Sequence, residues 1–226
     1  MKLSTFLFLS SFILFTFSLD AQLSIGLKAG YSNAWEEYGD IDLPADAEID
    51  VRGFYISALA YYKLSKHISI GIEPGYVQRG AACVPGWLEF TMDTQFKLNY
   101  LELPVFVRAD KSFLNDKFVL FAKVGFGGSY LQRGTEVIET TIIGLIPETV
   151  VERNKIDFKG EYASLNQFDY GLYGAFGLAY NIGNNQLFVE GTYYNALIDF
   201  DNENTSKNRS IQIGLGVMRS FGNNTN

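Results

Sequence analysis

The chain has 226 residues and a formal net charge of −7, and it contains 14 Tyr, 19 Phe and 22 Gly but only 5 Pro. Its length fits one domain, and this composition favours strands and tight turns over helices. The acidic balance argues against a nucleic-acid partner, and the single Cys and single His exclude an internal disulfide and a zinc site, so we expect no metal and no cofactor.

The N-terminus predicts a secretory signal peptide. Lys2 precedes a long apolar stretch, and the small residue Ala21 stands at its end. The alternative is an N-terminal membrane helix, but a strand pattern starts directly after Gln22. We therefore predict a signal peptide over residues 1–21 and one domain over residues 22–226.

Apolar residues alternate with small or polar residues in eight successive runs, which is the period of a strand with two different faces. In the first run, Leu23 and Ile25 alternate with Ser24 and Gly26. A tilted membrane strand needs about 9–11 residues, and the runs have that length or slightly more. The predicted strands span residues 22–32, 51–64, 67–79, 95–108, 117–131, 168–181, 186–196 and 210–221.

The connections between these runs alternate in length. The long ones are residues 33–50, 80–94, 132–167 and 197–209, and the short ones are 65–66, 109–116 and 182–185. Outer-membrane barrels show this alternation, with long loops outside the cell and short turns in the periplasm. An even number of strands then places both ends of the barrel's chain, the start of the first strand and the end of the last, on the periplasmic side.

Two barrel architectures share this pattern. A soluble, lipocalin-like carrier has its large apolar side chains inside, whereas a membrane barrel has them outside. The small face consists of Gly, Ser, Ala and single charges, which suits a narrow lumen. The aromatic residues at the ends of the apolar face predict interface girdles: Tyr31, Phe54, Tyr62, Tyr170, Tyr180, Tyr193 and Phe221. The sequence therefore predicts an all-β fold, an eight-stranded antiparallel transmembrane β-barrel with up-and-down meander order, surrounded by outer-membrane lipid.

The fourth run, "NYLELPVFVRA" at residues 99–109, resembles the fourth-strand signature of the PorT-like outer-membrane β-barrel family, the porin-family proteins of Bacteroidota-type bacteria. The matching positions are Tyr100, Leu101, Glu102, Leu103, Pro104 and Arg108. "GLKAGYS" and "GIEPGYVQRGA" are similar to the family more loosely. The chain departs from it in the tail "GNNTN" after Phe221, where such proteins often end on an aromatic residue. The resemblance implies the outer membrane of a Gram-negative cell, with the signal peptide removed, but no proven pore.

Charged residues on the small face are candidates for a salt-bridge network in the lumen. They are Lys28, Lys63, Glu73, Arg79, Glu102, Arg108, Lys123 and Glu190. A buried charge needs a partner, so these groups could plug the barrel or form a gated path. We favour the plug, because side chains fill the interior of an eight-stranded barrel.

The fourth run contains two residues that are unusual in an apolar strand. Its alternation places Leu101 and Leu103 toward lipid and Glu102 and Pro104 toward the lumen. We expect Glu102 to contact another inward base, such as Lys28, Lys63 or Lys123. Pro104 has no N–H for the ladder, which predicts a bulge or a kink there.

Three of the long connections contain further candidate sites. The acidic loop contains Glu36, Glu37, Asp40, Asp42, Asp46, Glu48 and Asp50, but its spacing fits no calcium motif, so we expect a solvated loop. Cys83 could bond another protein, although a packed free thiol is the simpler interpretation. Residues 137–152 are apolar for an exposed loop and predict a hairpin with a partner-binding tip at Ile142, Ile143, Leu145 and Ile146.

No enzyme is expected. His67 is the only histidine and falls in a periplasmic turn, whereas the acyltransferases and deacylases found on eight-stranded barrels need a histidine with Ser or Asp partners near the outer leaflet. The leading hypothesis is a scaffold or binding protein, with other outer-membrane or periplasmic proteins as partners in a secretion or assembly complex. The alternatives are a narrow porin-like passage for small solutes and, more weakly, a soluble carrier for a lipophilic ligand.

Overall fold

The computed structural model describes residues 23–38, 48–83, 86–87, 90–142, 148–158, 160, 162, 165–200 and 206–221. The predicted signal peptide, residues 1–21, lies outside these ranges. Within them, no helix is long and apolar enough to cross a membrane.

The described residues form twelve strands in one antiparallel sheet. The strands are β1 (Leu23–Tyr38), β2 (Glu48–Ile49), β3 (Val51–Lys63), β4 (Ile68–Ile72), β5 (Gly75–Cys83), β6 (Gly86–Trp87), β7 (Phe90–Phe113), β8 (Phe118–Ile142), β9 (Glu148–Lys155), β10 (Phe168–Ile182), β11 (Asn185–Ala196) and β12 (Ser206–Phe221).

The sheet closes on itself as a barrel of eight wall strands. From β1 the pairing passes to β3, then to β4 and β5 as two halves of one strand, and then to β7, β8, β10, β11 and β12. β12 pairs with β1 over their whole lengths, from Leu23 opposite Phe221 to Tyr38 opposite Ser206. The predicted eight-stranded, up-and-down barrel is confirmed. β2, β6 and β9 are short additions to its rim.

Several wall strands are longer than the sequence pattern predicts. β7 and β8 have 24 and 25 residues, and β1 continues to Tyr38. The described parts of the predicted long loops are therefore largely strand, and the prediction that these parts are loops is wrong. The reason is that a strand pair outside a membrane needs no apolar face, so the alternation ends although the hydrogen-bonded ladder continues.

The two ends of the barrel differ. The turns at residues 64–67, 114–117 and 183–184 lie at the same end as Leu23 and Phe221. The longer connections and the hairpin of β8 and β9 lie at the other end. By the rule for outer-membrane barrels, the first end is periplasmic and the second extracellular.

The predicted faces are confirmed. Leu101, Leu103, Val105 and Val107 are 45–54% exposed on the outside, whereas Glu102 is only 6% exposed. The proposed girdle aromatics also point outward, and all are exposed except Tyr62, which is half-buried. A soluble carrier would need the opposite arrangement, so that alternative is wrong.

Two prolines, Pro74 and Pro104, interrupt the hydrogen-bonded ladder at one position in the barrel wall. The register places Glu73 opposite Pro104 and Ala58 opposite Pro74. Glu73 N–H donates to the Pro104 carbonyl at 3.0 Å, and Ala58 N–H donates to the Pro74 carbonyl at 2.9 Å. Each proline therefore accepts a ladder bond but returns none. This gap separates β4 from β5, although their shared register does not change.

Of the two distortions predicted at Pro104, a bulge or a kink, the bulge is wrong. The pairing of β7 with β8 continues through Pro104 opposite Gly127, and the register shifts only between Asn99 and Tyr100. Gly127 explains the regular ladder, because a Cβ there would lie 2.5 Å from the Pro104 Cα. The missing side chain leaves room for the proline without displacing either strand.

Candidate functional site

Four buried charges form a closed ring across the lumen. Lys28 Nζ lies 2.6 Å from Glu73 and 2.8 Å from Glu190, and Lys123 Nζ lies 2.6 Å from each of the same carboxylates. All four residues are at most 5% exposed. The Tyr61 hydroxyl also donates to Glu73, and Thr192 Oγ1 donates to Glu190 at 2.9 Å. Two cations and two anions leave the ring neutral, as buried charges require.

The ring connects every second wall strand. Lys28 belongs to β1, Glu73 to the junction of β4 and β5, Lys123 to β8 and Glu190 to β11. The sign of the charge alternates around the wall. Because each carboxylate bridges both lysines, the ring connects opposite sides of the barrel through its centre.

A second ion pair lies nearer the extracellular end. Arg79 Nη2 donates to Glu102 Oε2 at 2.5 Å, and the Tyr173 hydroxyl donates to the same oxygen at 3.1 Å. The guanidinium carbon lies 3.9 Å from the centre of the Tyr194 ring, within the range of a cation–π contact. Glu102 therefore has an inward base as its partner, as expected, but that base is Arg79 and not Lys28, Lys63 or Lys123.

The other two predicted bases lie nearer the periplasmic end. Arg108 is 3% exposed, bonds Asp110 and Gln186 at 2.7 and 2.8 Å, and stacks on Phe121. Lys63 is exposed at the periplasmic mouth. It therefore lies at the edge of the lumen, outside the buried part of the predicted network.

Apolar side chains fill the space above and below the charges. One cluster contains Tyr61, Phe106, Phe121, Tyr173 and Phe188 among its large members. A second cluster lies toward the extracellular end, and it includes residues of two connections, Ile156 and Phe200. Phe158, Tyr162 and Leu165 pack against this second cluster. Connections between strands thus close the extracellular end of the lumen with apolar side chains.

Two buried acids are absent from the predicted charge network. Glu36 is 7% exposed and faces inward from β1, in a segment predicted to be loop. Asp169 is 5% exposed in β10, and Asn208 Nδ2 donates to it at 3.3 Å. The alternation of β10 continues to Asp169, so that residue was detectable from its inward position.

The acidic segment contains fewer loop residues than predicted. Asp50 accepts a hydrogen bond of 2.5 Å from Asn33 Nδ2, and Glu37 forms an ion pair with Arg209. Asp40, Asp42 and Asp46 lie outside the described residues, as does the side chain of Glu48. A solvated acidic loop is therefore wrong for the β1 part of the segment.

The predicted extracellular hairpin is present as β8 and β9, which pair from Thr135–Lys155 to Ile142–Glu148. Val150 and Val151 are 44% and 50% exposed although they point to opposite faces, so this part of β9 projects from the barrel. Ile143, Leu145 and Ile146 lie outside the described residues, as does the side chain of Ile142. Cys83 is the last residue of β5, and its side chain is likewise not among those that the structure describes.

The periplasmic mouth opens into a cavity of about 400 Å³. Its walls are mostly polar and include Lys63, Lys66, Arg108 and Asn181. His67 lies in the nearby turn, where its Nδ1 is 3.2 Å from the Asp110 carbonyl oxygen. This cavity could admit small polar solutes from the periplasm as far as the buried Tyr61 and Arg108.

A family model described as "Outer membrane protein beta-barrel domain" matches residues 15–202. Solved structures give weaker similarity. Neisserial surface protein A is 14% identical, with 87% of this chain and 97% of that chain covered and a TM-score of 0.47. OprG from Pseudomonas aeruginosa is 11% identical, with 88% and 96% covered and a TM-score of 0.46. Ail, the attachment invasion locus protein of Yersinia pestis, is 14% identical, with 88% and 99% covered and a TM-score of 0.40. No curated protein matches the sequence.

Proposed function

Because this chain belongs to the family of outer membrane protein beta-barrel domains and is located in the cell outer membrane, we propose that it acts there as a closed, non-enzymatic scaffold. The observation that carries this proposal is the filled lumen. The neutral ring of Lys28, Glu73, Lys123 and Glu190 crosses the barrel, and an apolar cluster with Ile156 and Phe200 lies at its extracellular end. A barrel filled in this way is a rigid support for the hairpin of β8 and β9 at its extracellular end.

The projecting hairpin of β8 and β9 is the proposed partner surface. Exposed Val150 and Val151 on both faces of β9 give it apolar surface outside the membrane. We propose a protein partner at the cell surface, within a secretion or assembly complex. The resemblance of residues 100–104 to the PorT-like signature supports the same proposal, with membership of that subgroup.

Conductance in planar lipid bilayers tests whether the barrel is closed. The purified, folded protein should give no steady single-channel current, because its charges are paired and apolar groups close one end. Steady open channels would overturn the proposal. They would favour the alternative of a narrow passage for small solutes, for which the periplasmic cavity of about 400 Å³ would be the entrance.

Site-specific photocrosslinking in intact cells tests the partner surface. A crosslinker at Val151 should give a discrete adduct with another outer-membrane protein, since this side chain is exposed above the barrel. The matched control is a crosslinker at Val124, which is 67% exposed on the outward face of β8, the strand that pairs with β9, but at membrane depth. Identical adducts at both positions, or none at Val151, would contradict the proposed surface.

A further inference from the structure

A group of basic side chains points outward near the extracellular end, on one side of the barrel. Lys97 and Arg52 are the neighbours in sequence of Leu98 and Val51, which are buried at 0% and 2% exposure. Since successive strand residues point to opposite faces, both bases point away from the lumen. Lys155 precedes the buried Ile156 and therefore also points outward.

The strand register places these cations close together. Lys97 lies opposite Thr135, and Thr135 lies opposite Lys155. Two steps between neighbouring strands separate the two lysine backbones by about 10 Å. Arg153 is one outward position further along β9, and Arg133 lies opposite Asn99 on β7. No ion pair joins any of the five bases to an acid among the residues that the structure describes.

The distance of these five bases from the apolar band of the barrel indicates the kind of ligand that they suit. Tyr76, Leu101 and Tyr130 form one outward row across three strands. The next outward row contains Gln78, Asn99 and Arg133, and the row above it contains Lys97. One such row is about 7 Å along the strand. The cations therefore begin directly above the last aromatic row, at the level of the lipid headgroups.

A depression of about 790 Å³ joins the two levels. Outward-facing Tyr31, Ile211 and Ile213 form its apolar part, and Arg52 and Lys97 belong to its polar part. Asp50 also lines it, but this carboxylate accepts a hydrogen bond from Asn33. An amphiphile with an acyl chain against the apolar part would have its headgroup beside the two cations.

Two further outward bases at this end, Lys207 and Arg209, belong to β12, the strand whose Ile211 and Ile213 line the depression. Arg209 is paired with Glu37, and Lys207 lies opposite Glu37 in the register. The five bases without an ion pair thus lie within one stretch of the described wall, from β3 through β5, β7 and β8 to β9, in a protein whose net charge is −7. A general attraction to anionic surfaces would not require this concentration.

We propose that Arg52, Lys97, Arg133, Arg153 and Lys155 form a binding site for phosphate-bearing lipid headgroups of the outer leaflet. The positive charge of the five bases favours a ligand with negative phosphate groups. The aromatic row and the depression beside them offer apolar surface for an acyl chain, which a free anion lacks, so they favour a membrane lipid. The site lies outside the lumen and is independent of whether the barrel conducts.

Lipid retention by the folded, detergent-solubilised protein tests the proposal. Micelles are doped with phosphatidic acid or with phosphatidylcholine, and bound lipid is counted by native mass spectrometry. The wild type should retain phosphatidic acid in preference. The double variant Lys97→Gln/Lys155→Gln should bind it roughly thirtyfold more weakly, the loss expected for two cations near an anionic headgroup.

The matched control is Lys111→Gln/Lys117→Gln, which removes the same charge from exposed lysines at the periplasmic end. It should retain phosphatidic acid as the wild type does. An equal loss in both double variants, or no preference for phosphatidic acid in the wild type, would overturn the site. Displacement of the lipid by an equal concentration of inorganic phosphate would overturn the assignment to a lipid headgroup. Electrophoretic mobility of the unheated samples verifies that both variants are folded.

Discussion

Glu102 shows how a charge becomes acceptable in an apolar run of sequence. Its carboxylate bonds Arg79 and Tyr173 inside the lumen, whereas Leu101 beside it is 46% exposed on the outside. One position along the strand thus separates lipid from a buried ion pair. The charge is required where it lies, because Arg79 is completely buried and has no other acid bonded to it among the described residues.

Replacing Glu102 with Leu should destabilise the barrel more than Leu101→Ala does. The first change leaves the Arg79 charge buried without its acid, which typically costs about 3–5 kcal/mol, whereas the second shortens a side chain that faces lipid. The measurement is the temperature at which the compact band on a semi-native gel converts to the unfolded band. The reverse order of the two variants would contradict the assignment of faces.

The double variant Arg79→Leu/Glu102→Leu distinguishes two effects: loss of the whole ion pair, and loss of Glu102 alone, which leaves the Arg79 charge uncompensated. With both charges removed, no uncompensated charge remains, so the double variant should unfold at a higher temperature than Glu102→Leu alone. A lower temperature would show that the tyrosine contacts of Arg79 contribute more than its pairing with Glu102.

Among the elements, the pair of β7 and β8 is the longest, and its register is regular at Pro104. Gly127 makes this possible. Gly127→Ala should lower the unfolding temperature, because the added methyl group would meet Pro104 backbone atoms, and overpacking of this kind costs about 1–3 kcal/mol. The control is Gly128→Ala, since the nearest atom to a Cβ there is 3.9 Å away. Equal effects of the two changes would contradict this explanation.

The period-two pattern of the sequence was sufficient to predict the strands, their faces and their meander order. It could not predict the ends of the strands, because β8 continues beyond residue 131 with a polar ladder that has no apolar face. It also could not predict partners across the lumen. Lys28 and Glu190 meet because of the stagger between strands, which is a property of the closed barrel and appears in no single strand. Lys63 illustrates the same limit, because the alternation predicts that it points inward but not that it lies at the exposed periplasmic mouth.

For the whole molecule, the outward apolar surface defines how deep the barrel lies in the membrane. Leu103 is 54% exposed within that surface, and Val151 is 50% exposed in the hairpin above it. Leu103→Arg should impair folding into lipid vesicles by about 2–4 kcal/mol, the range for arginine near the bilayer midplane. Val151→Arg should have little effect, because it adds the same charge in water. Urea titration of the folded barrels measures both, and similar losses would place the hairpin inside the membrane.

The ring of four charges also constrains the order in which the barrel assembles. Lys28 lies on the first wall strand and Glu190 on the seventh, 162 residues further along the chain. These two groups meet only when β12 completes the wall between them, so the ring forms late in folding. Until then, lysines and carboxylates face an unfinished lumen and must remain hydrated. When β12 pairs with both neighbours, that water is removed and the charges join in one step. The last strand therefore contributes much of the cooperativity of folding. A sheet that lacks it has little stability of its own.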